Sequence, residues 1–158
     1  MTMITLEQAD RLIDAILKHG REQQLRPLAI VVVELGCRVK AFKKDDGGSD
    51  IRFEMAFGKC RAALALGRSS KLVKVRAEEK PMFMNYLIRA SGDEIFAEGG
   101  GQLIRNEHGE VIGAVGVTGD TEEMDDVLAL HGIRAAGLKT DDDFASMGRS
   151  SSVRLTNK

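Results

Sequence analysis

The run LAIVVVEL at residues 28–35 constrains the chain more than any other stretch. Its β-branched residues favour an extended strand, and it has no polar alternation that would leave one face in water. It therefore reads as a strand buried on both faces, far too short to span a bilayer. Gly36 and Cys37 follow as a hairpin turn, and RVKAFKK (38–44) alternates as a half-exposed return strand.

The flanks read as helices. Thr5 and Gln8 give a T-x-x-Q capping box. Behind it Leu6, Ala9, Leu12, Ile13, Ile16 and Leu17 form one apolar stripe. A second helix is expected over about 50–66, capped by Ser49 or Asp50 and closed by Gly67 in the left-handed conformation. One or two short helices are expected over 68–92, with Pro81 in a first turn and Gly92 as a terminator. The period then changes. EIFAE (94–98), GQLIRNE (101–107) and EVIGAVGVTG (110–119) read as three antiparallel strands, the last two joined by a turn at Gly109. Asp120 and Glu123 open a final helix whose face carries Met124, Val127, Leu128, His131 and Ala135. The expected class is α+β on an antiparallel sheet, a single domain over 1–137. Residues 138–158 form a polar tail, mobile or an interface arm.

Charge and composition exclude several functions. The net charge of −1 and the few aromatics, six Phe and one Tyr, give no basic stacking surface, so no nucleic-acid partner is expected. No membrane segment or signal-peptide pattern is read, and Cys37 and Cys60 read as two reduced thiols of a cytoplasmic protein.

The glycine triplet Gly99, Gly100 and Gly101 is the most suggestive local feature. No Lys-Ser/Thr completes a P-loop and no helix opens directly after it, so it is not a nucleotide cradle. Two readings stay open. Its bare N–H groups could form a nest for a carboxylate, or the glycines only let the chain turn. Lys59, on an alanine-rich helix, could supply charge to an acidic ligand, or be a solvated surface lysine. Arg61 lies two positions on and cannot face the same pocket. Glu98 could orient a ligand or act as a base, or be an exposed strand end. Met82, Phe83 and Tyr86, with Met84, could wall a soft pocket, or be core or subunit interface. His131 reads as a core histidine or an axial ligand to heme iron, while His19 and His108 read as solvated. No histidine pair has metal-ligand spacing, so no other metal is expected. The carboxylates of DTEEMDD (120–126) read as complements of a helix dipole, or as a weak cation site.

Taken in order, AIVVVELGCRVKAFKKDDG, KCRAAL, GGGQLIRNEHGEVIGAVGVTG and a closing acidic helix resemble the GlcG/HbpS-like family. That family includes heme-binding uptake and sensor proteins and the C-terminal domains of PduO-type proteins. The resemblance runs over about residues 3–137. It implies a profilin-like three-layer α/β/α fold around a five-stranded antiparallel sheet, and a homo-oligomer. It also implies heme, another tetrapyrrole or a small organic acid as ligand, held near Lys59, Glu98 and Gly99–Gly101. The chain departs from the family at ELGC (34–37), where an Asp-Gly-Gly-like turn is usual, and at the charged, methionine-rich segment 68–92. Two other readings stand beside a binding module. One is a small catabolic enzyme (lyase, hydratase or isomerase), with Lys59 stabilising an enolate and Glu98 moving a proton. The other is a structural or regulatory subunit.

Overall fold

The computed structural model describes residues 2–145. In chain order these form α1 (Leu6–Glu22), β1 (Ala29–Glu34), β2 (Arg38–Lys44), α2 (Arg52–Leu66), α3 (Ser70–Glu79), α4 (Pro81–Ala90), β3 (Gly101–Arg105), β4 (Val111–Thr118) and α5 (Glu122–Ala135), then a 3₁₀ turn (Asp141–Phe144). The strands form one antiparallel sheet in the order β2–β1–β4–β3.

Strand β1 is central and buried as far as Val33, as its composition requires. Its residues divide by parity. Ile30 and Val32, with Val115 and Val117 of β4, pack under Leu12, Ile13 and Ile16 of α1 and Leu128 and Ile133 of α5. Val31 and Val33, with Ala114, pack under Ala56 and Cys60 of α2 on the opposite face. Each fully buried Val or Ile contributes about 1.5–3 kcal/mol of transfer free energy, which makes the two-sided strand the anchor of the fold. Strand β2 is an edge, and its Lys40, Lys43 and Lys44 discourage pairing with another chain.

The sheet has four strands, not the expected five. Segment 94–98 is not a strand, because its backbone is committed to α2: the Phe96 N–H donates to the Gly58 carbonyl at 3.1 Å. A Cβ on Gly58 would lie 2.7 Å from Phe96 Cβ, so the glycine is what lets the segment dock there. Strand β3 correspondingly stops at Arg105 rather than 107.

Helix ends follow the sequence with two shifts. The Thr5–Gln8 box forms, Gly67 takes φ 65°, and Pro81 opens α4. Helix α2, however, starts at Arg52 with Ile51 at its N-cap and no side-chain cap, and α5 is capped by Thr121, whose hydroxyl accepts from the Met124 N–H. The polar stretch expected to leave the domain at 138 begins with residues held on β3. Lys139 and Arg105 exchange two backbone hydrogen bonds of 2.9 Å, and Leu138 and Thr140 are buried. The rest of that stretch, 146–158, lies outside the described residues. Among the described residues no helix is long and apolar enough to cross a membrane.

Candidate functional site

The glycine triplet enters β3 through a crowded crossing between α2, α3 and the start of α5. A Cβ on Gly100, which sits at φ 122°, would lie 2.3 Å from the Val117 carbonyl oxygen and 3.1 Å from Lys59 Nζ. One on Gly101 would lie 2.4 Å from the Lys59 carbonyl oxygen. The loop is thus a place of close backbone approach, and two of its three N–H groups, those of Gly99 and Gly101, have side-chain partners. Gly99 donates to Glu122 Oε2 at 3.2 Å and Gly101 to Ser70 Oγ at 2.7 Å, while Ser70 donates to the Glu98 carbonyl at 2.5 Å. The anion at the triplet is the chain's own Glu122. Lys74 ion-pairs with that carboxylate and, with the Gly99 N–H, holds it below the usual range.

Lys59 lies beneath this loop, only 1% exposed. Its ammonium donates to the Val117 carbonyl at 2.8 Å and to Asp125 Oδ2 at 3.2 Å. The other Asp125 oxygen accepts from the Asp120 N–H at 3.1 Å. The two partners attract, yet burial dominates for both: it pushes Lys59 below the ordinary lysine value and Asp125 above the ordinary carboxylate value, each partly opposed by the other's charge. Among the described residues no buried side-chain nitrogen or oxygen is left without a partner.

Open space lies elsewhere. A groove of about 580 Å³ runs between the β1–β2 turn and α2, lined by Gly36, Cys37, Phe57, Arg61, Leu64 and Glu94. Phe57, Arg61 and Leu64 are spaced i, i+4 and i+7, so one face of α2 supplies them. Arg61 is half-buried and pairs with Glu94 at 3.3 Å. No atom lies within 4 Å of a Cβ built on Gly36, and Cys37 beside it takes φ 60°. Burial pushes the Cys37 thiol up to about 11, so it stays protonated at neutral pH.

Residues 4–134 match the family described as haem degrading protein HbpS-like. The chain belongs to the HbpS-like family. Solved structures share its fold. A Klebsiella pneumoniae protein, ORFY, is 25% identical, with 87% of this chain and 92% of that one covered and a TM-score of 0.77. A complex of PduOC with heme is 18% identical, covering 88% and 99%, at a TM-score of 0.79. A double mutant of Streptomyces reticuli HbpS is 18% identical, covering 85% and 87%, at 0.73. A search of the curated proteins finds no match.

In this HbpS-like chain the residues singled out from sequence separate into three places. Lys59 and Gly99–Gly101 do come together, but as a closed ion-pair and backbone lock with no room for a ligand. A clamp or an enolate stabiliser needs an ammonium open to substrate, and Lys59 is sealed. Glu98 is half-buried at the same loop and holds it through its backbone carbonyl. Met82, Phe83 and Tyr86 are not among the residues that line the groove. They face outward on α4, 86%, 43% and 69% exposed, while Met84 is the one that packs inward. His131 is neither core nor near the loop: it is exposed on α5, with its ring stacked on His19.

Sequence reasoning passed over Asp125 and Glu122, because a carboxylate in the first turn of a helix already has a dipole to explain it. It also ranked Arg61 below Lys59. The Phe57–Arg61–Leu64 spacing was the available signal for the groove.

Proposed function

We propose that this protein binds a planar, carboxylate-bearing ligand, with a tetrapyrrole such as heme as the best match, in the groove between α2 and the β1–β2 turn. The observation that carries this is the pairing of the Arg61 guanidinium with the apolar Phe57 and Leu64 on one open groove wall. Heme presents a flat apolar ring and two propionates, and this wall offers a surface for one and a bidentate cation for the other. Arg61 can exchange exposed Glu94 for a propionate at little cost, because a solvent-exposed ion pair is worth only about 0–1 kcal/mol. The volume lies within the range of ligand pockets, about 300–1,000 Å³. Membership of a family described as haem-degrading, and the fold shared with a protein captured with heme, support the same ligand class. Bound heme would supply an iron centre. Cys37 is the cysteine that lines this groove, and it would have to lose its proton to serve as an iron ligand.

Titration with hemin should give a shifted Soret band at micromolar concentration. Arg61→Ala should weaken binding by about tenfold or more, the worth of a hydrogen bond to a charged group. His131→Ala should leave it unchanged. Iron-free protoporphyrin should bind comparably, and benzoate should compete only if a small organic acid is the true ligand. A Soret band that holds supports capture, and one that decays only when both O2 and a reductant are supplied supports oxidative breakdown of the ring. Absence of any shift, or an unaffected Arg61→Ala, would sink this reading.

We also propose a homo-oligomer working in a reducing compartment, where the free Cys37 and Cys60 persist. Met82, Phe83 and Tyr86 of α4 and Leu72 and Val75 of α3 are apolar side chains exposed on adjacent helices, and Arg76 of α3 lies over the Phe83 ring at 5.3 Å. Sedimentation should detect an assembly that Tyr86→Glu reduces to monomer. A native chain that sediments as a monomer at tens of micromolar would refute it.

A further inference from the structure

We infer that the seam between α1 and α5 is a binding site for a divalent transition metal, with His19 and His131 as its imidazole ligands. The site lies on the opposite face of the sheet from the proposed tetrapyrrole groove and does not depend on it.

The two helices are pressed together beside these residues. A Cβ on Gly132 would lie 2.6 Å from Ile16 Cδ1 and 3.0 Å from the Leu12 carbonyl oxygen, so α5 meets α1 with bare backbone. His131 precedes Gly132, and His19 stands three residues beyond Ile16. The close crossing therefore fixes the backbones that carry both rings, whose centroids are 4.5 Å apart with planes 30° from parallel. A recess of about 260 Å³ opens at the pair, lined by Ala15, Lys18, His19, Glu22 and His131.

The donor chemistry suits a borderline cation. Imidazole nitrogens are favoured by Cu²⁺, Ni²⁺ and Zn²⁺, whereas Mg²⁺ and Ca²⁺ require oxygen ligands. Two nitrogens on one tetrahedral ion stand about 3.3 Å apart, given metal–nitrogen bonds of about 2.0–2.1 Å. Turning the stacked rings edge-in reaches that spacing without moving the backbone, because the terminal torsion of histidine is broad. Among the described residues no three His, Cys, Asp or Glu side chains already converge. Glu22, one turn beyond His19 on the same recess, supplies the third ligand by rotation, and water the rest. Lys18 also lines the recess and opposes the added charge, which places the expected affinity in the micromolar range rather than tighter.

The test is calorimetric titration of the metal-free full chain with Zn²⁺, and electron paramagnetic resonance with Cu²⁺. Expected are one site per chain, a rise in Tm with Zn²⁺ and not with Mg²⁺, and Cu²⁺ hyperfine coupling from two nitrogens. His19→Ala and His131→Ala should each weaken Zn²⁺ binding by roughly tenfold or more, with His108→Ala unaffected. Both residues sit outside the core, so circular dichroism should report intact folds. No Zn²⁺ binding at 100 micromolar, affinity unchanged from the native chain in both variants, or coupling to a single nitrogen overturns the inference.

Discussion

Lys59→Ala is expected to lower the unfolding free energy by about 3–5 kcal/mol, measured by urea denaturation, because it strands the Asp125 charge in a dry site. Asp125→Ala should cost a similar amount by stranding the ammonium. The double variant Lys59→Met/Asp125→Leu should recover most of the loss. Burial drives both groups toward their neutral forms despite their mutual attraction, so the pair as a whole contributes little beyond a well-packed apolar replacement. Linkage gives a second readout. Asp125 holds its proton more tightly folded than unfolded, so the native pair loses stability as pH rises just above the ordinary carboxylate value. Lys59 holds its proton less tightly folded, so stability returns as pH climbs toward the ordinary lysine value. The double variant should lack both slopes. Single variants that cost less than about 1 kcal/mol would mean that the pair is hydrated, contrary to its burial.

The sequence was most legible where one physical demand acted alone. β1 had to be covered on both faces, the Thr5–Gln8 box had to start a helix, and Gly67 had to end one; each is so. The fifth strand failed because EIFAE can satisfy its backbone either on a ladder or on a helix. The choice was made by Gly58, thirty-six residues away from Glu94 in the chain and silent in the local pattern. Lys59 and the glycines share one place in the fold, where Asp125 pairs with the ammonium and Glu122 accepts from the Gly99 N–H. Sequence marks where a cation and bare backbone meet, not whether Asp125 and Glu122 have already answered them. The stacked histidines were invisible for the same reason: their partnership crosses two helices distant in the chain.

Gly116→Ala is expected to be as damaging as loss of Lys59, by a different route. Gly116 lies in β4 where α2 crosses the sheet. A Cβ there would stand 2.0 Å from the Ala56 carbonyl oxygen, 2.9 Å from the Ala56 carbonyl carbon and 3.1 Å from Cys60 Sγ. Backbone atoms cannot swing aside as a side-chain tip can, so α2 must lift as a body. Lifting it opens the layer formed by Val31, Val33, Ala56, Cys60 and Ala114. An overpacked core typically costs about 1–3 kcal/mol, and a clash with helix backbone belongs at or above the top of that range. Gly67→Ala is the control: no atom lies within 4 Å of its Cβ, so only the left-handed backbone is penalised, by about 1–2 kcal/mol. Helix α2 carries Lys59 on its buried side and Phe57, Arg61 and Leu64 on its groove side. Gly116→Ala should therefore weaken hemin binding along with stability, although Gly116 touches no groove residue's side chain except through the helix. Equal costs for Gly116→Ala and Gly67→Ala would mean that α2 rides higher over the sheet than its packing on Gly116 requires. Hemin binding that survived a large loss of stability would separate the groove from the helix position that builds it.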